Sequence, residues 1–445
     1  MIAFRHGLAV LLALGFTSAA VAQVEPPPSD LADYIAKEDK SFAWKTKGKN
    51  ELPFGTVHQI EMTSQTWHEI VWKHAIEIYV PKGVKPTATM VIYNTGGNPS
   101  PTSAVLGIAI ADRVKSPVAF LFNIPNQPLF GGKTEDALIA ETFKRFIATN
   151  DSSWPLLFPM AKSVVRSMDA IQGFAKDEWK FDVKNFVVTG ASKRGWTSWM
   201  TAASGDPRVK AIAPLVIDTL NLPAQIENQK KSYGTASEQV KDYTENGLLK
   251  APDTTETRHL QAMIDPYSYR EKLTLPKMLI HGTNDPYWPQ DALNSYWEGL
   301  KGEKHITYVP NAGHDLREAN AEGKKELIPM KAINVLSAFS KSQITDKPMP
   351  KLSWKSGDAD GKATLDIECD KPAKAVRVWT VYSKTLDFRK SKWEPMNIKT
   401  LKTIEKVTVD PPDDGYRAFM VEVEFDDDGL VYSLTTQLRV LKGKK

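Results

Sequence analysis

Several things the chain lacks narrow its function before any motif is read. Of its 445 residues one is a cysteine, Cys369, so no disulfide can form within the chain. A chain of this length can do without one in any compartment, because a large core stabilises it. No histidine or cysteine group has metal-ligand spacing, which argues against structural zinc and leaves no metal or cofactor expected. Asp358-Ala359-Asp360-Gly361 lacks the closing glutamate of a calcium loop, and the acidic runs Asp413-Asp414 and Asp426 to Asp428 read as solvated turns. Charge of one sign is also missing. Fifty-seven lysines and arginines against 53 acids leave +4, one less without Arg5. That is too mild to argue for nucleic acid.

Long apolar runs are scarce as well. The one near the start, Leu8 to Phe16, falls short of the roughly 20 apolar residues a membrane-spanning helix needs. With Arg5 and His6 before it and Ala20-Val21-Ala22 after it, it reads as a secretory signal peptide over 1–22. The alternative is an uncleaved anchor. The mature chain is expected to be exported, periplasmic or secreted, with no stable membrane insertion.

Residues 23–50, opening on Val24-Glu25-Pro26-Pro27-Pro28, read as an N-terminal leader. From about Val57, β-type runs alternate with helical patterns. Ile70 to Val80, Ala88 to Asn94, Pro117 to Asn123, the run from Phe186, Val209 to Ile217, Pro276 to His281 and His305 to Val309 are expected strands. Ala137 to Thr149 and Leu156 to Phe174 have helical spacing. This alternation predicts an α/β domain over 51–343, with a mostly parallel sheet covered by helices on both faces. The polar, helix-prone stretch of about 220–270 interrupts it and reads as a cap over the site, or else as a plain helical crossover. Beyond about Ile344, Lys374 to Ser383 and Tyr416 to Phe425 alternate at period two, and Asp428-Gly429 turns into Leu430 to Val440. Residues 344–445 are therefore expected to form a separate β-sandwich of immunoglobulin or fibronectin type.

Chemistry enters with "VVTGASKRGW" at 187–196. A strand meets a glycine, then Ser192, then a helix. A serine hydroxyl attacks only when a base takes its proton and a carboxylate orients that base. Hydrolase sheets supply them in the order serine, acid, histidine. Here Ser192 is followed by Asp285 in "LIHGTNDPYWP" and His314 in "YVPNAGHDL", each just past the C-terminal end of an expected strand. Asp218, after the preceding strand, is the competing acid. The bland alternative for Ser192 is a helix N-cap. The backbone N–H of Lys193 and that of Gly97, in "YNTGGNPS", are the candidate oxyanion donors, although Gly96-Gly97 also suits a structural turn. The motif is G-x-S-x-x-G: Arg194 stands where the usual hydrolase elbow has its glycine, and the glycine comes at Gly195. Lys193 and Arg194 are expected to favour anionic substrates, or else to reach solvent or pair with carboxylates. Arg194, Tyr287 and Trp288 are candidate substrate contacts.

"GASKRGWTSW", "HGTNDPYWPQDA" and "NAGHDL" together resemble the PhoPQ-activated pathogenicity-related proteins, from about Glu51 through the C-terminal sandwich. The resemblance implies an α/β-hydrolase fold and a link to virulence and antimicrobial-peptide resistance. It places the triad on Ser192, Asp285 and His314 and fixes no substrate. A weaker likeness to carbohydrate esterases that cleave uronic-acid esters, on the basic residue after the serine, hints at substrate charge only. The expected function is an exported serine hydrolase acting on a small-molecule or peptide substrate. The alternative from another class is a non-catalytic binding protein on a hydrolase fold.

Overall fold

The computed structural model describes residues 27–319, 323–398 and 404–445. The expected signal peptide lies outside the described residues. The leader is a correction. Only its first residues fall before folded chain, because α1 (Asp30–Ala36) buries Leu31 and β1 (Ala43–Leu52) is a strand of the main sheet. β2 (Gly55–Trp67) and β3 (Ile70–Pro81) follow it in antiparallel hairpins.

The chain then alternates as its pattern predicts. β4 (Thr89–Asn94), α2 (Pro101–Val114), β5 (Val118–Leu121), α3 (Glu135–Thr149), α4 (Leu157–Phe174), β6 (Asn185–Ala191), α5 (Lys193–Ala203) and β7 (Val209–Leu215) come first. After an excursion containing α6 (Leu222–Tyr233), α7 (Lys241–Glu245) and α8 (Thr255–Ile264) come β8 (Lys277–Gly282), β9 (Lys304–Val309) and α9 (Met330–Thr345). The nine-stranded sheet runs in the order β1-β2-β3-β5-β4-β6-β7-β8-β9 and is parallel from β5 to β9.

Period two explains why both faces are covered. Along β4, Met90 and Ile92 join the core shared with α3, α4 and α5, while Val91 joins the core shared with α2 and α9. Each parallel strand ends on the same side, and the loops there carry the candidate residues.

Past α9 lie antiparallel sheets. β10 (Leu352–Ala359) and β11 (Lys362–Cys369) belong to one sheet, and β12 (Ala375–Ser383) and β13 (Glu394–Ile398) to the other. β14 (Ile404–Val409) completes the first, and β15 (Tyr416–Asp427), β16 (Leu430–Thr435) and β17 (Arg439–Lys442) complete the second. The single strand expected over Leu430 to Val440 is two. β16 pairs with the later half of β15 and β17 with its start.

These sheets are not set apart from the α/β core. Leu365, Ile367, Val378 and Val421 share one continuous core with Val335 and Phe339 of α9 and Ile280 of β8. Thr307 of β9 donates to the Ser433 carbonyl at 2.5 Å, and the Tyr308 N–H to Thr435 Oγ1 at 3.1 Å. Buried Glu422 pairs with Lys331 of α9 at 2.7 Å. A chain ending at Ser342 would expose this core, at roughly 25 cal/mol for each Å² of apolar surface uncovered. We therefore expect that truncation to be insoluble or unfolded, and the full chain to melt in one transition. Calorimetry and the solubility of the truncated chain check this; a soluble, cooperatively folded fragment would show the sheets to be dispensable.

Candidate active site

Ser192 sits where β6 ends and α5 begins. Its backbone takes φ 58° and ψ −125°, a conformation that costs a residue with a side chain about 1–3 kcal/mol and persists only when its surroundings enforce it. Its hydroxyl makes no capping bond to α5, so the helix-cap alternative is not realised. Packing does the enforcing. A Cβ at Gly190 would lie 2.7 Å from Asn94 Nδ2, and one at Gly195 would lie 2.9 Å from the Leu215 carbonyl oxygen. The displaced glycine thus lets α5 approach β7, and the position before it is open to a large side chain.

Asp285 follows β8 and His314 follows β9. Asp285 Oδ2 lies 2.8 Å from His314 Nδ1, and Oδ1 accepts the Tyr287 N–H at 2.9 Å. With its proton on Nδ1 facing the carboxylate, the neutral ring leaves Nε2 as the acceptor. That atom is buried and has no hydrogen-bond partner among the described residues. The Tyr287 ring covers the imidazole at a centroid distance of 4.2 Å. The loops bearing Asp285 and His314 are tied together: the Asn284 N–H donates to the Ala312 carbonyl at 3.0 Å, and the Asn311 N–H to Thr283 Oγ1 at 2.8 Å. Asp218, the competing acid, is engaged elsewhere. Its Oδ2 lies 3.3 Å from His281 Nδ1, and the Tyr296 hydroxyl donates to its Oδ1.

A cavity of about 360 Å³ is lined by Ser192, Lys193, Tyr287, Trp288 and His314, and by residues of the 220–270 excursion. That excursion covers the site. Buried Asp265 clasps its two ends, accepting the N–H groups of Asn221 at 3.1 Å, Leu222 at 2.8 Å and Tyr267 at 2.9 Å. Tyr243 of the cap donates to Asp136 at 2.9 Å, and Trp196 Nε1 to the Ile264 carbonyl at 2.7 Å.

The two basic residues need correction. Lys193 Nζ lies 2.8 Å from Asp136 and 3.4 Å from Glu135, so acidic side chains of the α3 N-terminus already match its charge. Arg194, a candidate substrate contact, is not among the residues that line the cavity. It forks onto both oxygens of Glu135 at 2.7 Å and donates to the Ile124 carbonyl at 2.5 Å. Its guanidinium also occupies the space that a Cβ on Gly96 would take. Close approach to Arg194 therefore accounts for the first glycine of the pair. Gly97, at φ 69°, is not among the residues that line the cavity, so the geometry gives its N–H no support as an oxyanion donor.

The sequence reading missed Glu135 and Asp136. The one available signal was two adjacent acids opening a helix, which the macrodipole alone would explain.

A family model for PhoPQ-activated pathogenicity-related proteins matches residues 31–389. The chain belongs to that family. A curated relative, autocrine proliferation repressor protein A of Dictyostelium discoideum, is 32% identical, with 91% of this chain and 87% of that protein aligned. Among solved structures, acetyl xylan esterase 1 of Thermoanaerobacterium sp. is 15% identical and has a TM-score of 0.47, over 72% of this chain and 95% of that one. A glucuronoyl esterase of Solibacter usitatus is 12% identical and has a TM-score of 0.41, over 71% and 91%. These two likenesses carry no assignment of substrate. The architecture of this family member is the expected α/β-hydrolase sheet with antiparallel sheets at its C-terminus.

The clamp at Arg194 can be tested by stability. Burial pushes the Glu135 carboxyl up, but the hydrogen bonds and charge of Arg194, with Gln127 and Lys193, outweigh it and hold the group at about 2. Arg194→Ala should lower stability by about 2–3 kcal/mol at pH 7: one hydrogen bond to a charged group contributes roughly 1.5–3 kcal/mol, and the partial exposure of Glu135 screens the fork to well below the sum of its bonds. Arg194→Lys should recover little, because one ammonium does not reproduce the fork. Glu135 has a folded pKa below its unfolded value, so its contribution is complete above about 4.5 and is lost as pH falls toward about 2. Urea titrations at several pH values read this directly. A gap between wild type and Arg194→Ala that stays constant through acid pH would remove Glu135 as the partner.

Proposed function

We propose that the protein is an exported serine hydrolase that cleaves an ester or amide bond. The observation that supports this best is His314, paired with Asp285 and with its Nε2 buried and unpartnered, lining one cavity with Ser192 on its constrained turn. In this reading Ser192 Oγ attacks the carbonyl carbon while His314 Nε2 takes the hydroxyl proton. Asp285 holds the ring orientation and stabilises the imidazolium. The negative charge that develops on the carbonyl oxygen meets the Lys193 backbone N–H at the start of α5. His314 then passes its proton to the leaving group as the bond to carbon breaks. Water repeats the sequence on the acyl-enzyme and frees Ser192.

Among the described residues no helix is long and apolar enough to cross a membrane. The export reading rests on the pattern of the first 22 residues. The competing reading is a binding protein that keeps the fold without turnover. What favours it is the name of the Dictyostelium relative, a repressor of proliferation, and the missing hydrogen bond between His314 Nε2 and Ser192. Such bonds are commonly long before substrate binds.

A fluorophosphonate probe separates the two readings. It should label Ser192 in wild-type protein, with labelling abolished in Ser192→Ala and strongly slowed in His314→Ala. For turnover of a chromogenic ester, Asp285→Asn should lower kcat by roughly 10⁴, the loss seen when the orienting acid of such a triad is neutralised. Asp218→Asn should remain near wild type. Folded protein whose Ser192 resists the probe would leave the binding reading standing, and an inactive Asp218→Asn beside an active Asp285→Asn would reassign the acid.

A further inference from the structure

The walls of the cavity say more about the substrate than the triad does. Phe143 of α3, Trp196 of α5, Leu222 and Ile226 of α6, and Leu260 and Ile264 of α8 all face it. The polar groups among them are mostly spoken for. Trp196 Nε1 is bonded to Ile264, the Tyr243 hydroxyl to Asp136, and Gln229 to the Tyr287 carbonyl and the Ser237 N–H. Two of the three wall lysines are matched too. Lys193 is paired with Asp136 and Glu135, and Lys230 with Glu227, while Lys250 is exposed in the cap. Thr219 Oγ1 is a buried wall atom without a partner among the described residues. A lone hydroxyl suits a neutral polar atom and does not call for an anion.

A carboxylate placed beside Lys193 would lose its water and find that cation already neutralised, while Lys250, the wall lysine with no acidic partner among the described residues, is exposed to solvent, where an ion pair contributes little. An acetyl group would leave most of the apolar wall uncovered. Resting on the hydrolase reading above, we propose that the substrate carries an uncharged aliphatic limb of several carbons, which lies in this cavity under the cap. This reverses the anionic preference expected from Lys193 and Arg194. The limb belongs either to the acyl group or to the alcohol, and the chemistry that recognises it is the same.

Two ester series test it on the full chain: p-nitrophenyl esters from acetate to decanoate, and acetate esters of ethanol to decanol. In one of them kcat/KM should rise about fourfold per added methylene until the cavity is filled, which is the ~0.8 kcal/mol of burying one CH₂. The series that rises identifies the limb. In the matching pair, a mono-anionic hemiglutarate ester should be at least tenfold slower than the pentanoate. Ile226→Trp should move the optimum to shorter chains while a small fluorophosphonate still labels Ser192, which shows that the variant is folded. Should Ser192 label while rates fall from acetate onward, favour the anionic ester or vanish in both series, the proposal is overturned and the nucleophile stands. Absence of both labelling and turnover would overturn the hydrolase reading and this inference with it.

Discussion

The turn at Ser192 is the constraint on which the rest depends. A residue with a side chain is held at φ 58° and ψ −125°, and nothing local favours that state. It holds because Gly190 and Gly195 let β4, β6, β7 and α5 close around it, with the Ser192 N–H on the Leu215 carbonyl at 2.9 Å. Moving the second glycine one place along has a consequence for chemistry. Gly195 faces β7, and Arg194 runs the other way to join the β4 loop, the segment at Ile124 and the first turn of α3. One side chain thereby ties three segments together around Ser192.

That clamp also settles the electrostatics of the cavity. Lys193 and Arg194 bring two positive charges to a helix N-terminus that already favours anions. Had they been unpaired, an anionic substrate would be the natural partner. Glu135 and Asp136 supply the matching charge from within the protein. The same carboxylate that steadies Arg194 therefore offsets positive charge beside the cavity, whose wall otherwise carries apolar side chains of α5, α6 and α8. One ion-pair cluster thus both steadies the turn and sets the charge beside the cavity.

How much of this was legible in the sequence follows from the range of each signal. β4 and β6 to β9 are runs of apolar residues buried on both faces, and their patterns stand out unaided. The chain order of Ser192, Asp285 and His314 is likewise local, because each lies just past its own strand. β1 was not legible. Its AWKTKGKNEL is a largely exposed edge strand with no alternation of apolar and polar residues, and hydrogen bonds to β2 define it rather than burial. Partner choice was equally hidden. Period two says which residues of β12 and β15 face inward, but not that they share a core with α9. Nor does the sequence around Arg194 reveal that its partner lies 59 residues earlier.

The terminal sheets show why the loops bearing Asp285 and His314 hold their geometry. Asn284, beside Asp285, donates to the carbonyls of Arg389 at 3.1 Å and Ser391 at 2.8 Å. Asn311, in the loop before His314, exchanges two bonds with the Trp393 backbone, at 3.0 and 2.7 Å. Loops at the end of a sheet ordinarily have solvent on one side and the freedom that goes with it. Here both amides are anchored to a single segment around residues 388–393, itself seated by buried Phe388 and Trp393. Each loop is thus bonded to the other and to a common third body, which restricts the relative motion of Asp285 and His314 more than either contact would alone. Proton transfer tolerates little misalignment. The C-terminal sheets consequently act on the site through position, with none of their described side chains among those that line the cavity.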